Sequence, residues 1–417
     1  MTLFKTSFWM GLATAVKLAS SFVIAKVLAV YVGPAGFAIF GQFQNFISMV
    51  LTFSGNMVQS GVVKYIAEFR NDQNEKTKIL STAFFICLSS SLLICIVLLI
   101  TAHFFAALLL NDVHLFWLID VFALTLVLYV LNSFIISILN GEGQVKALAV
   151  VNMATSLAGL VLTFFLAKEM GLKGALLAQV LGQSVVFFIA LLLVLKMHWF
   201  RWQHFTAGID HGYAIKLLKF AAMAVTSALT VPVVQIIIRE YIGHMLSWQD
   251  AGYWQAVTRI SDGYLLLIIT TLGVYYLPKL SGLKHAIEIK QEMRQAYLKV
   301  FPCVIVLALL VFIFKKEIIL LLFSPQFAPM APLFLFQLLG DVFKIASWLI
   351  AYNMLAKAMT RLFILSELGF SISYCVLSIL LLKFFGLRGV TMAFFINYLM
   401  YFLFIGFVFY KKLRKDK

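Results

Sequence analysis

The chain has 417 residues, of which 63% are hydrophobic and 12% are charged, and its formal net charge is +16. A soluble globular domain is roughly 45–50% apolar and about 25% charged, so this composition excludes one. The basic residues lie in short segments between long apolar runs, a distribution that argues against nucleic-acid binding and indicates a protein that crosses a membrane many times.

Twelve apolar segments are long enough to cross a bilayer, which takes about 20 residues of helix. The first follows a short N-terminus and exceeds the core of a signal peptide, so we expect a retained helix. Turns marked by glycine or proline separate several segments, as in "VGPAG", "NGEG", "SPQFAP" and "FFGLRG". In chain order the predicted spans are residues 7–31, 37–63, 79–102, 115–139, 147–168, 172–196, 213–239, 249–278, 295–314, 329–355, 358–383 and 387–410.

The distribution of lysine and arginine predicts the orientation of the chain. With the N-terminus placed in the cytoplasm, 22 of the 33 basic residues fall on the cytoplasmic side, 7 fall on the opposite side and 4 lie inside spans. Basic residues accumulate in the cytoplasmic loops of membrane proteins, so both termini are predicted to be cytoplasmic. The seven on the opposite side are Lys168, Lys173, Arg239, Lys315, Lys316, Lys383 and Arg388.

A faint internal repeat divides the chain into halves. "AGF" at Ala35–Phe37 and "AGY" at Ala251–Tyr253 open the second helix of each half, separated by about half the length of the chain. Parallel repeats of this kind recur in transporters. We therefore predict an N-terminal six-helix bundle at residues 1–197, a cytoplasmic linker at 198–212 and a C-terminal bundle with a basic tail at 213–417.

The four basic residues inside the spans are the first candidate site residues. They are Lys17, Lys26, Arg259 and Lys344. A charged side chain at mid-bilayer costs about 2.5–3.5 kcal/mol, and such residues usually face a cavity or a partner. Lys26 lies near the end of its span, where it could reach the interface. Lys17 and Lys26 are nine residues apart, on opposite faces of a straight helix, so either the helix bends or only one of them lines a site.

Acidic residues accompany two of these cations. Arg259 and Asp262 are three residues apart and share a helix face, and Asp341 and Lys344 repeat that spacing in another helix. The pairs could simply neutralise themselves and hold helices together, or they could form a polar chamber. Buried ion pairs contribute little net stability compared with apolar packing, which favours the chamber. Glu367 is a further acid, without a partner in the sequence pattern.

Neither a cofactor nor a metal is expected. The four cysteines all fall inside predicted spans, without the spacing of a disulfide framework or a metal site. No glycine-rich nucleotide loop of the P-loop type occurs in the sequence. Central cations imply an anionic substrate head, and lysine and arginine both suit phosphate.

A resemblance to a known family runs along nearly the whole chain. It is carried by the stretches "KLASSFVIAKVLAVYVGPAGFAIFGQFQNF", "SGVVKYIAEF", "WQAVTRISDGYLLLIITTLGVYYLPKLS" and "FQLLGDVFKIASW". These stretches resemble the Wzx-type polysaccharide flippases of the multidrug/oligosaccharidyl-lipid/polysaccharide exporter (MOP) superfamily. The resemblance implies a V-shaped pair of six-helix bundles, working by alternating access in the inner membrane of a Gram-negative bacterium.

The implied substrate is an undecaprenyl-diphosphate-linked oligosaccharide, either the lipid III of enterobacterial common antigen or an O-antigen unit. It would be turned from the cytoplasmic to the periplasmic face without covalent change, so the protein would not be an enzyme. We also expect a monomer, with a polysaccharide polymerase and a chain-length regulator as candidate partners.

The resemblance and the intramembrane charges together suggest roles for individual residues. The four cations match family positions expected to bind the diphosphate. Asp262, Asp341 and Glu367 are candidates for ion coupling or charge balance. Some relatives have arginine where this chain has Gln44. The residues expected to contact the sugar are Gln42, Gln44, Asn45 and Gln255.

Three other functions stay open at this point. A non-transporting membrane scaffold would not need charged residues in the middle of several spans. A multidrug or cation antiporter of the same superfamily would need acidic rather than basic chamber residues. A polymerase or ligase acting on the same lipid carriers would be expected to have a large external catalytic loop, whereas the predicted external loops are short.

Overall fold

The computed structural model describes residues 3–70, 72–197, 200–283, 285–357 and 359–415. Within these ranges the regular structure is helical and no strand occurs. The sequence-based predictions also include residues that lie outside the described ranges, namely Met1, Thr2, Asn71, His198, Trp199, Lys284, Ala358, Asp416 and Lys417. The α-helices are α1 (Leu3–Tyr31), α2 (Gly33–Phe53), α3 (Gln59–Glu68), α4 (Gln73–Leu110), α5 (Phe116–Gly141), α6 (Val145–Leu195), α7 (His211–Met245), α8 (Trp248–Thr271), α9 (Leu277–Gly282), α10 (Ala286–Ile313), α11 (Lys315–Leu322), α12 (Phe334–Ala356), α13 (Thr360–Phe385) and α14 (Leu387–Lys415).

Nine helical segments in the described part of the chain are long and apolar enough to cross a membrane. One of the nine is α6, although non-helical angles at Gly171 divide it into two helices. Neither α7 nor α8 is among the nine, and α8 carries Asp250, Arg259 and Asp262, whose charges lower its hydropathy. The all-α membrane fold is confirmed, while the count of twelve spans stays a prediction.

The structure divides the predicted span at residues 37–63, which is wrong as a single helix. After α2 ends, a 3₁₀ turn occupies Asn56–Val58 before α3 begins. Gly55 makes this break possible, because its φ is +145° and a Cβ there would lie 2.9 Å from the Cys87 sulfur. The apolar character continues through the turn, so hydropathy alone does not reveal it.

A second break lies at the end of α8. A π-helical segment at Leu272–Tyr276 joins α8 to α9, so the helical path extends to Gly282 rather than ending at residue 278. Single π turns widen a helix and occur frequently at functional sites. Arg259 and Asp262 lie in the regular helix before it.

A four-residue motif shapes the same turn in each half of the chain. "GLKG" at residues 171–174 joins the two parts of α6, and "GLRG" at residues 386–389 joins α13 to α14. The first glycine of each motif has φ 57°, with ψ −130° at Gly171 and −147° at Gly386. Residues with a side chain rarely adopt these angles, so glycine is required at both positions.

The last glycine of each motif allows a close backbone approach. A Cβ on Gly174 would collide with the carbonyl of Leu166, and a Cβ on Gly389 would collide with the carbonyl of Leu381. The separation along the chain from Gly174 to Gly389 equals the separation from Leu166 to Leu381. The two turns are therefore built in the same way. We call the separation along the chain from Gly174 to Gly389 the repeat offset.

The helix boundaries follow the repeat offset as well. It relates the start of α6 at Val145 to the start of α13 at Thr360. It also relates the end of α5 at Gly141 to the end of α12 at Ala356. The structure thus supports an internal repeat, whose register in this region is one position shorter than the separation between "AGF" and "AGY".

The chain forms two compact units. The first contains Met1–Val32 and Ile39–Pro232, and the second contains Gly33–Ala38 and Val233–Lys417. In the first unit α1 packs along α6, and α5 packs between α4 and α6; in the second, α14 packs against both α12 and α13. The boundary between the units falls at Pro232 inside α7, beyond the linker predicted at 198–212. The predicted bundle limits stay a prediction.

The described part of the predicted linker packs onto the first unit. A 3₁₀ segment at Trp202–Phe205 lies on α4, and the Phe205 ring lies 5.7 Å from that of Phe84. The Asp210 backbone N–H donates a 2.9 Å hydrogen bond to the Thr82 hydroxyl. Tyr213, at the start of α7, donates a hydrogen bond from its hydroxyl to the Glu75 carboxylate. This segment is therefore part of the packed structure rather than a loose connection.

Candidate functional site

The ammonium group of Lys344 lies among aromatic rings of the second unit. Its Nζ is 5.4 Å from the ring centre of Trp348, 5.9 Å from that of Phe394 and 5.8 Å from that of Tyr398. Trp348 lies one turn further along α12, and the other two rings come from α14, which packs along α12. Ring faces attract a cation more strongly where water is excluded, so this arrangement holds a positive charge in a largely apolar setting.

Three acids lie close enough for their charges to interact with Lys344: Asp262 of α8, Asp341 of α12 and Glu367 of α13. Asp341 is completely buried, and its Oδ2 accepts a 2.7 Å hydrogen bond from the Tyr264 hydroxyl. Among the described residues, Asp341 and Lys344 make no direct ion pair, but their charges interact, so self-neutralisation of this pair stays one of the two interpretations. Glu367, which had no partner in the sequence pattern, is brought near Lys344.

The charges of this cluster do not cancel. Arg259 precedes Asp262 by one turn of α8 and is partly buried, while Asp262 is exposed. With all groups ionised, two cations face three acids. We refer to Arg259, Lys344 and the three acids as the charged cluster.

Arg239 is a buried cation that the sequence reasoning assigned to a loop. The structure places it inside α7, completely buried, where its guanidinium donates a hydrogen bond to Gln255 and lies 5.6 Å from the ring centre of Trp254. The placement of Arg239 among the external loop residues is therefore wrong. The predicted span ended at residue 239, so an end set a few residues too early turned a buried arginine into a loop residue.

The two lysines of the first unit lie on one uninterrupted helix, α1. Lys17 is exposed and Lys26 is partly buried. Nine residues of continuous helix place their side chains on opposite faces. The helix does not unwind between them, so the sequence alternative in which only one lysine lines a given site is the better supported one.

A cavity of about 510 Å³ lies within the first unit. It is formed by one face of α2, by α5, by the second part of α6 and by Ala228 of α7. None of its twelve lining residues is charged. They are Gln44, Ile47, Ser48, Leu51, Thr52, Asn56, Met57, Tyr129, Ser133, Gln179, Gln183 and Ala228.

The predicted sugar-contacting residues have different positions. Gln44 lines the cavity, whereas Gln42 is completely buried and neither it nor Asn45 is among the lining residues. Gln255 lies in the second unit, where its carbonyl oxygen accepts from Arg239. The roles proposed for these residues from the sequence stay predictions.

The cavity residues that the sequence reasoning missed share one pattern. Tyr129 and Ser133 are four apart in α5, and Gln179 and Gln183 are four apart in α6, so each pair faces one side of its helix. Uncharged polar residues at this spacing in an apolar helix were the available signal. Because these residues carry no formal charge, the intramembrane charges do not point to them.

The fold of the whole chain is that of MOP-superfamily transporters. An inward-facing multidrug resistance MATE family transporter of that superfamily superimposes with a TM-score of 0.79, at 14% identity, covering 97% of this chain and 96% of the other. The lipid II flippase MurJ in an inward closed conformation gives a TM-score of 0.72 at 15% identity, covering 99% and 90%.

Comparison by sequence shows which members of this class the chain is similar to. The lipid III flippases of Escherichia coli (strain K12) and Shigella flexneri are each 29% identical to this chain over 403 residues, which is 96% of this chain and 97% of theirs. A family model described as "Polysaccharide biosynthesis protein" matches residues 3–283. The chain belongs to this polysaccharide biosynthesis protein family.

Proposed function

We propose that the protein is a flippase that moves undecaprenyl-diphosphate-linked oligosaccharide units from the cytoplasmic to the periplasmic face of the inner membrane by alternating access. The observation that carries the proposal is the near-full-length similarity to two lipid III flippases. The fold shared with MOP transporters and the cations inside membrane helices support it further.

In the proposed mechanism the cations bind the diphosphate, while the prenyl chain stays in the lipid. Lys17 is exposed on α1 and free of the crowding that surrounds Lys344, so it can meet an incoming anion first. Arg259 offers a planar fork that matches phosphate oxygens, with Lys344 assisting. The acids of the charged cluster balance Arg259 and Lys344 when no substrate is bound. Protonating an acid then leaves more positive charge for the diphosphate.

The test replaces Lys17 or Arg259 with alanine in a strain that depends on this chain for surface polysaccharide. We expect polymer on gels to fall sharply at matched protein levels. Lys173→Ala is the matched control, because Lys173 is an exposed cation in the turn of α6. Normal polymer in both Lys17→Ala and Arg259→Ala would remove these residues from the mechanism. Complementation of strains lacking a common-antigen or an O-antigen flippase identifies the glycan.

A multidrug or cation antiporter is the second candidate, and one observation favours it. The charged cluster contains one more acid than cations when all groups are ionised, which would attract a cationic cargo. Ethidium efflux from cells that express this chain distinguishes the two functions. Efflux that is lost in Asp262→Asn and Glu367→Gln variants, together with normal surface polysaccharide in a strain without this chain, would replace the flippase proposal.

We further propose that the protein works as a monomer in the inner membrane beside a polysaccharide polymerase and a chain-length regulator. Mass measured by light scattering in detergent tests the first point. Crosslinking in cells that produce the polymer tests the second.

A further inference from the structure

The internal repeat places the cavity of the first unit and the aromatic rings around Lys344 at equivalent positions. With the repeat offset, Tyr129 corresponds to Lys344 and Ser133 to Trp348. The same offset relates the α6 glutamines to α14, where residue 179 matches Phe394 and residue 183 matches Tyr398. In the first unit, α5 and α6 thus present amides and hydroxyls. In the second unit, the equivalent helices α12 and α14 present a cation among aromatic rings.

The hydrogen-bonding capacity of the cavity is not used up within the protein. The Gln179 carbonyl oxygen is buried and, among the described residues, has no hydrogen-bond partner. Within the described part of the chain, the Gln183 carbonyl oxygen accepts a long 3.5 Å contact from the Asn132 amide. A buried acceptor without a partner costs free energy. A ligand that donates N–H or O–H groups would remove that cost.

The remaining lining defines what kind of ligand fits. A volume of about 510 Å³ lies within the range of small-molecule sites. Ile47, Leu51 and Met57 give the cavity apolar walls beside its amides and hydroxyls. Sugars present hydroxyl groups at their edges and C–H groups on their faces, so they need both kinds of surface. A charged group would enter without a counter-ion among the lining residues, which is unfavourable.

We propose that the first unit contains a binding subsite for an uncharged, acetamido-bearing sugar, formed by the amides and hydroxyls of this cavity. The subsite rests on the proposed flippase function and specifies its substrate: the glycan head is read in the first unit and the diphosphate charge is handled elsewhere. The α6 glutamines accept from sugar O–H and acetamide N–H groups. Their own amide N–H groups donate to the acetamide carbonyl.

The test measures sugar binding directly, on the full chain purified into lipid nanodiscs. The probes are methyl N-acetyl-β-D-glucosaminide and, as its acidic counterpart, methyl β-D-glucuronide. Saturation-transfer NMR detects the weak binding expected of a single sugar. We expect transfer to the ring and acetyl protons of the neutral sugar and several-fold weaker transfer to the glucuronide.

Two variants remove the proposed contacts while preserving side-chain volume. We expect Gln179→Leu and Gln183→Leu to reduce transfer to the neutral sugar by roughly three- to tenfold, the effect of losing hydrogen bonds to buried groups. Ser184→Ala is the matched control, because Ser184 is buried on α6 but does not line the cavity. If a leucine variant melts early, Tyr129→Phe removes only a hydroxyl and should still lower the transfer about twofold.

Two results would overturn the inference: equal transfer in the parent and in folded Gln179→Leu, or a glucuronide signal as strong as that of the neutral sugar. The flippase function is tested separately in proteoliposomes with labelled lipid-linked oligosaccharide. Sugar binding through these glutamines without leaflet exchange would retain the subsite and reject the flippase. Leaflet exchange with sugar signals unchanged by both leucine variants would reject the subsite alone.

Discussion

Lys344 holds its charge through two different kinds of contact. Three ring centres lie between 5.4 and 5.9 Å from its Nζ. Three acids lie close enough for their charges to interact with it. The rings attract the cation through their faces, whereas the acids attract it through their negative charge.

Lys344→Met should leave the surrounding acids without their cation. We expect transport to fall by roughly tenfold or more, since a hydrogen bond or contact to a buried charge contributes about 1.5–3 kcal/mol. The melting temperature should also fall, because the acids then repel one another. Surface polysaccharide and thermal unfolding in detergent measure the two effects.

Lys344→Met combined with Asp341→Asn separates the two roles. The double variant removes one acid with the cation, so we expect much of the lost thermal stability to return while transport stays low. Recovery of transport in the double variant would show that Lys344 only balances charge and does not contact the substrate.

His204 is a buried histidine outside the membrane-spanning segments. It is buried on the first unit, and burial lowers the pKa of its imidazole below the ordinary value of 6.5. The nearby charges of Lys76 and Arg201 lower the pKa further. The unfolded chain therefore binds this proton more readily than the folded chain.

We expect the melting temperature to fall as pH drops from about 7 to 5, because stability from a group with a lowered folded pKa is lost below its unfolded pKa of about 6.5. His204→Gln should flatten this pH dependence. His114→Gln, which alters an exposed histidine, serves as the control. A His204→Gln variant with the same pH profile as the parent would contradict the assignment.

At the scale of the helix, the glycines of the two "GL(K/R)G" turns fix where the chain reverses. Hydropathy and the glycine content of "FFGLRG" predict the breaks near residues 168–172 and 383–387. Hydropathy fails at Gly55 and at the π turn of Leu272–Tyr276, because those interruptions come from backbone geometry inside apolar sequence. A pattern of side-chain polarity carries no information about such backbone changes.

Gly171→Ala should destabilise the first unit by about 1–3 kcal/mol, the cost of holding a side-chain-bearing residue in a sparsely populated backbone region. Its φ of 57° is the reason, since the space around it is open. Gly159→Ala in the same helix is the matched control, because nothing lies near its Cβ position and its φ is ordinary. Thermal unfolding compares the two, and equal melting temperatures would refute the backbone argument.

The candidate site was predictable in part, for reasons that differ between its residues. Charges inside apolar helices are conspicuous, so Arg259, Lys344 and their acids were found from the sequence. Gln179 and Gln183 are polar without charge and disappear into a hydropathy average. Arg239 was missed because the predicted end of its helix was a few residues too early, and a few residues decide whether a cation is buried.

At the scale of the whole molecule, the repeat has kept its backbone and changed its side chains. Helix boundaries and turn glycines match at the repeat offset, while the amides of one copy correspond to cation-binding rings in the other. Duplicated helices can keep their packing as long as the turn glycines and close backbone contacts remain. The lining residues are then free to diverge, as the different side chains at the equivalent positions of the two copies illustrate.

The orientation predicted from the basic residues can be tested with fusions. Green fluorescent protein fused after Lys415 should fluoresce, because it folds in the cytoplasm, and alkaline phosphatase at the same place should be inactive. A single cysteine introduced at Lys173 should react with an impermeant maleimide added from the periplasm. The opposite pattern in both assays would reverse the topology.

The packing of residues 202–213 limits where the polypeptide can flex. Phe205, Asp210 and Tyr213 attach that stretch to the first unit through one ring contact and two hydrogen bonds. The next place that lacks a full helical hydrogen-bond ladder is Pro232, whose ring removes one donor from α7 where the first unit ends. Proline is a common cause of helix bending. We therefore expect bending of α7 to concentrate at Pro232, and Pro232→Ala to straighten this helix by restoring the missing donor.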